Sequence, residues 1–207
     1  MAVETLERPV QYHTPAAAAL PTPLGAGWRK VMMWTFIVTD GLLFAGFLAS
    51  YGYARLMSSE WPARQEVFSF PYLAAMTFVL ISSSATMASA VEAARSGQWK
   101  VVTRLTLLTV AGGTVFLGLQ AYEWAHVIGE GATLTANTWG DAAFGSYFFL
   151  LTGFHGSHVL TGLIVLGVTA AHAARRTSSA DGVEVAGLYW HFVDLVWVFI
   201  FTLFYLV

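Results

Sequence analysis

Five apolar runs, each long enough to cross a bilayer and joined by short connectors, leave this chain little choice but a membrane fold. A helix spanning the roughly 30 Å hydrocarbon core needs about 20 mostly apolar residues. Stretches of about Val31 to Met57, Phe70 to Ala94, Val101 to Trp124, Ala142 to Ala174 and Gly187 to Val207 meet that requirement. The expected fold class is therefore all-α, a polytopic bundle of five transmembrane helices in one domain over residues 28–207. Composition agrees. With 57% hydrophobic and 11% charged residues and a mean hydropathy of +0.62, a chain of 207 residues has more apolar surface than a soluble domain can bury. The connectors are too short to hold a catalytic domain outside the bilayer.

Orientation follows from Lys and Arg, which accumulate in cytoplasmic loops. Arg8, Arg29, Lys30, Arg95, Lys100, Arg104, Arg175 and Arg176 fall on one side, and only Arg55 and Arg64 on the other. The N-terminus is thus expected in the cytoplasm and, after an odd number of spans, the C-terminus outside. The connector from Ala125 to Asp141 has no Lys or Arg, as befits a translocated loop.

Residues 1–27 carry Pro9, Pro15, Pro21 and Pro23 and lack the apolar core of a signal peptide, so they read as an irregular cytoplasmic arm. The absence of cysteine excludes disulfides, thiolate metal sites and cysteine nucleophiles. No internal repeat of the transporter kind is visible, and an odd number of spans disfavours two matched halves.

Ionisable groups inside a bilayer are costly and face protein or water, so they are the functional candidates. They are Asp40 in the first span, Glu92 at the end of the second, Gln120 and Glu123 in the third, His155 and His158 in the fourth, and His191 and Asp194 in the fifth. At about 1.5 Å rise per residue, Asp40 lies roughly 14 Å and Asp194 roughly 10 Å from the inner end, with His158 near mid-membrane. These three can share a layer in which carboxylate and imidazole satisfy one another. Glu123 falls near the outer interface, one turn before His126.

Residues three apart share a helix face, so the pairs His155/His158 and His191/Asp194 could be metal ligands. A metal site needs three or four convergent ligands and a second layer of support, and only five histidines remain once His13 in the arm is set aside. Gly153, Gly156, Ser157 and Gly162 beside the histidines permit close helix approach, which favours an interhelical hydrogen-bonded cluster. Asp40 is an acid in an apolar layer that must be protonated, paired or wet; it reads first as a buried structural or lipid-contacting acid and second as a candidate for proton handling. Ser82, Ser83, Ser84 and Thr86 read as a packing face whose hydroxyls bond to backbone carbonyls. Trp28, Trp61, Trp99, Trp124, Trp139 and Trp190 fall near span ends as an interfacial belt would, whereas Trp34 and Trp197 lie within spans and read as packing residues.

Four segments together carry a resemblance: Trp34 to Asp40 with Phe44 to Tyr51; Gly118-Leu119-Gln120-Ala121-Tyr122-Glu123-Trp124; Phe154-His155-Gly156-Ser157-His158-Val159 with Gly162; and Tyr189-Trp190-His191-Phe192-Val193-Asp194-Leu195-Val196-Trp197. In this order, over about Trp28 to Val207, the chain resembles subunit III of the haem-copper respiratory oxidases, in its five-helix bacterial form. The resemblance implies a non-catalytic subunit of a bacterial inner-membrane oxidase that reduces oxygen and pumps protons. It implies no haem or copper in this chain, those groups belonging to the partner subunit I. Association with subunits I and II and with a respiratory supercomplex, phospholipid bound between helices, and support of proton uptake also follow from it. By position, Glu123, His155, His158, His191 and Asp194 match the family's buried polar set, and Asp40 takes the place of its first-span acid. Many cytochrome c oxidase members have glutamate there and quinol oxidase members aspartate, so both electron donors stay open, as does a nitric oxide reductase accessory protein.

Two other classes make distinct predictions. A stand-alone transporter, with Asp40, His158 and Asp194 as its path, would be active alone in liposomes. A stand-alone membrane enzyme would carry bound metal in the isolated chain.

Overall fold

A computed structural model describes residues 27–63 and 67–206 of the protein, so all but Gly27 of the expected N-terminal arm lies outside the described residues. Five helices in this region are long and apolar enough to span a membrane: α1 Trp28–Met57, α2 Phe70–Arg95, α3 Trp99–Gly129, α4 Ala142–Ala174 and α5 Ala180–Ile200. The last continues as a π-helical turn, Phe201–Leu206. No strand occurs among the described residues.

Helices α2, α3, α4 and α5 pack into a four-helix core, and α1 leans on α4 and α5. Only Asp40, Phe44 and Tyr51 of α1 are buried, and its other faces expose Met32, Leu42, Tyr53 and Leu56. Trp34, expected to be a packing residue, is 54% exposed on this helix. The reason is that α1 has neighbours along only one narrow stripe, which Trp34 misses.

The helix ends show why two spans outrun their hydropathy. Helix α5 begins at Ala180, about two turns before Gly187, because the Ser179 hydroxyl accepts the Gly182 N–H and caps a polar first turn. Helix α3 runs past Trp124 to Gly129 and stops where Gly131 takes φ +96°, with Ala132 N–H bonding to Val127 O. That is the left-handed cap a glycine supplies at no steric cost. Gly97, at φ +69°, closes α2 in the same way.

Between helices in lipid, close approach and interhelical hydrogen bonds do the work that water exclusion does in a soluble core. Trp190 illustrates both. Its ring lies in a slot floored by glycines, so that a Cβ at Gly113 of α3 would meet Trp190 Cη2 at 2.5 Å and one at Gly162 of α4 would meet Cε3 at 2.9 Å. Its N–H donates to Ser83 Oγ of α2 at 3.1 Å. One side chain of α5 thereby fixes three other helices, and Trp190 is fully buried in the core instead of standing in an interfacial belt. Trp197 repeats the device, donating to Thr77 Oγ1 at 3.0 Å beneath Phe116.

Candidate functional site

The buried polar groups are placed by α4 and α5, each against a different neighbour. On α4, His158 faces α1, where its Nε2 lies 3.3 Å from Asp40 Oδ2. Phe44 and Phe154 pack together against the imidazole, with ring centroids at 5.4 and 4.7 Å from it. His158 Nδ1 is 2.8 Å from Phe154 O. A carbonyl can only accept, so Nδ1 carries a hydrogen, and a neutral ring would then present the Nε2 lone pair to the carboxyl group. Asp40 Oδ2 has no hydrogen-bond partner among the described residues, so the 3.3 Å approach is a polar contact and not an aligned hydrogen bond.

Beside this pair opens a cleft of about 520 Å3 between α1, α4 and α5, lined by Met33, Phe36, Ser157, His158, Val165 and Tyr189 among others. Its wall is mostly apolar. Tyr189 closes it by donating to His158 O at 3.0 Å.

His155, three residues earlier on α4, turns into the core. It is 1% exposed and packs against both Phe116 and Trp197, at 5.8 and 5.2 Å between ring centroids. Neither ring nitrogen has a hydrogen-bond partner among the described residues. The shared spacing of the two histidines does not bring them to one ligand.

On α5, His191 faces α2 and its Nδ1 is 2.6 Å from Ser84 Oγ. Asp194, 5% exposed, adjoins Ser84, whose hydroxyl is engaged with His191, and neither carboxylate oxygen is hydrogen-bonded among the described residues. No bond or ion pair among the described residues joins Asp194 to Asp40 or His158. The layer of three read from depth therefore resolves into one contacting pair and a separate acid. Depth alone does not say which way a helix is rotated.

Toward the opposite end of the bundle, Gln120 donates to Glu123 Oε2 at 2.9 Å and Tyr205 OH donates to the same oxygen at 3.2 Å. Tyr205 arrives there on the π-helical turn, a partner that a reading by hydropathy gave no reason to select. At the end where α1 begins, Lys30 bridges Asp181 at 3.2 Å and Glu184 at 3.1 Å, and Arg95 reaches Glu184 at 3.5 Å. Basic residues first read as topology markers thus tie α1, α2 and α5 together. Glu92, on the same end, is exposed and among the described residues pairs only with Arg95, at 3.8 Å.

Among the described residues, no three His, Asp or Glu side chains converge as a metal-holding group. What the arrangement shows is polar contact between helices: Asp40 with His158, Ser84 with His191, and Glu123 with Tyr205.

Comparison with known proteins agrees over nearly the whole chain. The family described as cytochrome c oxidase subunit III matches residues 22–207. The "Cytochrome c oxidase subunit 3" of Bacillus sp. (strain PS3) is 35% identical, with 93% of this chain and 92% of the relative covered. The "Quinol oxidase subunit 3" of Bacillus spizizenii is also 35% identical, covering 84% of each chain. The "Cytochrome c oxidase subunit 3" of Corynebacterium diphtheriae is 34% identical, covering 83% of this chain and 84% of its own.

Proposed function

The chain belongs to the cytochrome c oxidase subunit III family, and we propose that it serves a proton-pumping haem-copper terminal oxidase as a subunit with no redox centre of its own. The observation that carries this reading is the way the buried polar groups are spent. Asp40 with His158, Ser84 with His191, and Glu123 with Gln120 and Tyr205 join separate parts of the bundle, and none of them builds a shared ligand set.

In this reading the chain packs against subunits I and II in a bacterial inner membrane, with haem and copper in subunit I. The N-terminus lies in the cytoplasm, supported by the eight basic residues on that side against two on the other. The mostly apolar cleft beside His158 holds phospholipid, and His158 at its wall, with Asp40 against it, supports proton uptake by the oxidase.

Cytochrome c is the proposed electron donor. A quinol donor is the second reading, favoured by one observation, the aspartate at position 40 where many cytochrome c oxidase members carry glutamate. The test is affinity purification of the chain in mild detergent, with subunit identification and a reduced-minus-oxidised spectrum on the same sample. Haem absorbance travelling with a large multi-span partner is expected, and the donor that sustains oxygen uptake decides between the two. A colourless, solitary protein would sink the assignment.

A further inference from the structure

At the end of the bundle where α3 begins and α4 stops, a cavity of about 390 Å3 is lined by Trp99, Lys100, Thr103, Arg104 and Arg176, with Ala173 and Ala174 behind them. Three of these side chains are cationic, and no acid lines the cavity. Among the described residues none of the three forms an ion pair, although Lys30 and Arg95 at the same end of the bundle are both neutralised. The Thr103 hydroxyl is spent on Trp99 O at 2.9 Å, so the unspent hydrogen-bonding capacity here is largely that of donors.

The backbone at Arg176 adds a second observation. Helix α4 ends with Arg176 N–H bonded to Ala173 O and Thr177 N–H bonded to His172 O, and Arg176 itself at φ +56°. This is the cap that closes α2 at Gly97 and α3 at Gly131, and glycine is the residue that adopts it freely. Among the described residues only here does a side chain occupy the left-handed position, and that side chain brings a guanidinium to the cavity.

Away from the cavity, the same two helices present open apolar stripes at helical spacing. Leu107 and Ala111 continue the Lys100/Arg104 face of α3, and Ala171, Gly167 and Ile164 continue the Ala174 face of α4. A Cβ at Gly167 would meet nothing within 4 Å. Cations at the end of a span with an apolar track leading into the bilayer match a phosphate headgroup above an acyl chain, and an indole at the rim suits that depth.

We propose that this cavity is a binding site for the phosphodiester headgroup of an anionic phospholipid, held by Lys100, Arg104 and Arg176, with an acyl chain lying along α3 and α4. It is separate from the cleft beside His158. A zwitterionic headgroup would bring its own cation against three others, so the site discriminates by net charge. The proposal concerns this chain's own basic face and is independent of which electron donor the assembly uses.

The test uses the whole assembly purified in mild detergent and stripped of loosely bound lipid. It is titrated with phosphatidylglycerol, phosphatidylcholine or inorganic phosphate while melting temperature and retained lipid, by native mass spectrometry, are read. Phosphatidylglycerol is expected to raise the melting temperature and add a bound lipid that the other two do not. Arg176→Gly suits the backbone and should melt normally without lipid, yet need about fivefold more phosphatidylglycerol; Lys100→Gln with Arg104→Gln should need about 25-fold more, by the typical contribution of one basic residue at a lipid surface. An equal response to phosphatidylcholine overturns the proposal. So does an unchanged phosphatidylglycerol titration in both variants. A response to inorganic phosphate equal to that for the lipid makes this a soluble-anion site and rejects the phospholipid.

Discussion

His158 Nε2 faces Asp40 Oδ2 at 3.3 Å while its Nδ1 is committed to Phe154 O at 2.8 Å, so Nε2 is the ring nitrogen turned toward the acid. Asp40→Asn keeps that contact in neutral form, because an amide N–H can donate to Nε2. His158→Ala leaves the acid buried without a partner, which costs about 1–3 kcal/mol. The expected outcome is a melting temperature lowered clearly by His158→Ala and only slightly by Asp40→Asn, with working lifetime shortened more than the initial oxygen-reduction rate. Initial turnover that collapses in Asp40→Asn, with haem content and assembly normal, would show that the acid relays protons during the reaction.

Gly113 should tolerate no methyl group. A Cβ there would sit 2.5 Å from Trp190 Cη2 and 2.7 Å from Leu163 Cδ2, and the indole cannot retreat without losing its bond to Ser83. Overpacking of this kind costs about 1–3 kcal/mol. Gly118, on the same helix, has nothing within 4 Å of its would-be Cβ, and alanine there should gain up to about 1 kcal/mol from helix propensity. Thermal melting of Gly113→Ala and Gly118→Ala side by side checks the contrast, and equal shifts would refute the slot.

Acid should loosen the connector end of the bundle through Asp141. This residue precedes α4, where its carboxylate accepts the Ala143 N–H at 2.9 Å, and a bond from Ser58 together with that cap holds its carboxyl below the ordinary 3.8. A group whose folded pKa is depressed stabilises the fold above its unfolded value, and the benefit fades as pH falls through the folded one. Wild type should therefore lose melting temperature below about pH 4 more steeply than Asp141→Asn, which keeps a cap without a titrating charge. Parallel pH profiles for the two proteins would exclude Asp141 as the cause.

The spans were legible because hydropathy reports length directly, and their ends were not because caps decide them. Ser179 extends α5 by turns that carry Asp181 and Glu184, and Gly131 stops α3 after it has passed His126. The candidate residues were legible as types, since an acid or a histidine in an apolar run has few explanations. Their partners were not. Asp40 finds His158, but His191 finds Ser84 from a run read as a packing face, and Glu123 finds Tyr205, because helix rotation and a π-helical turn set those contacts and hydropathy carries neither. Trp190 was misplaced for a related reason: near a span end it looks interfacial, and only the glycines of two other helices reveal its slot.

Among the described residues, His155 differs from His158 in having only aromatic partners at its ring. It is 1% exposed in the core, yet both ring nitrogens lack a hydrogen-bond partner among the described residues, and its ring contacts are with Phe116 and Trp197. Burying polar atoms without partners costs about 1–3 kcal/mol, so an apolar ring of similar shape should relieve that cost. His155→Phe is expected to leave the melting temperature unchanged or to raise it, with assembly intact, in contrast to His158→Ala. A clear loss of stability or of co-purifying haem in His155→Phe would mean that the imidazole has a polar partner in the assembled oxidase and belongs to its working parts.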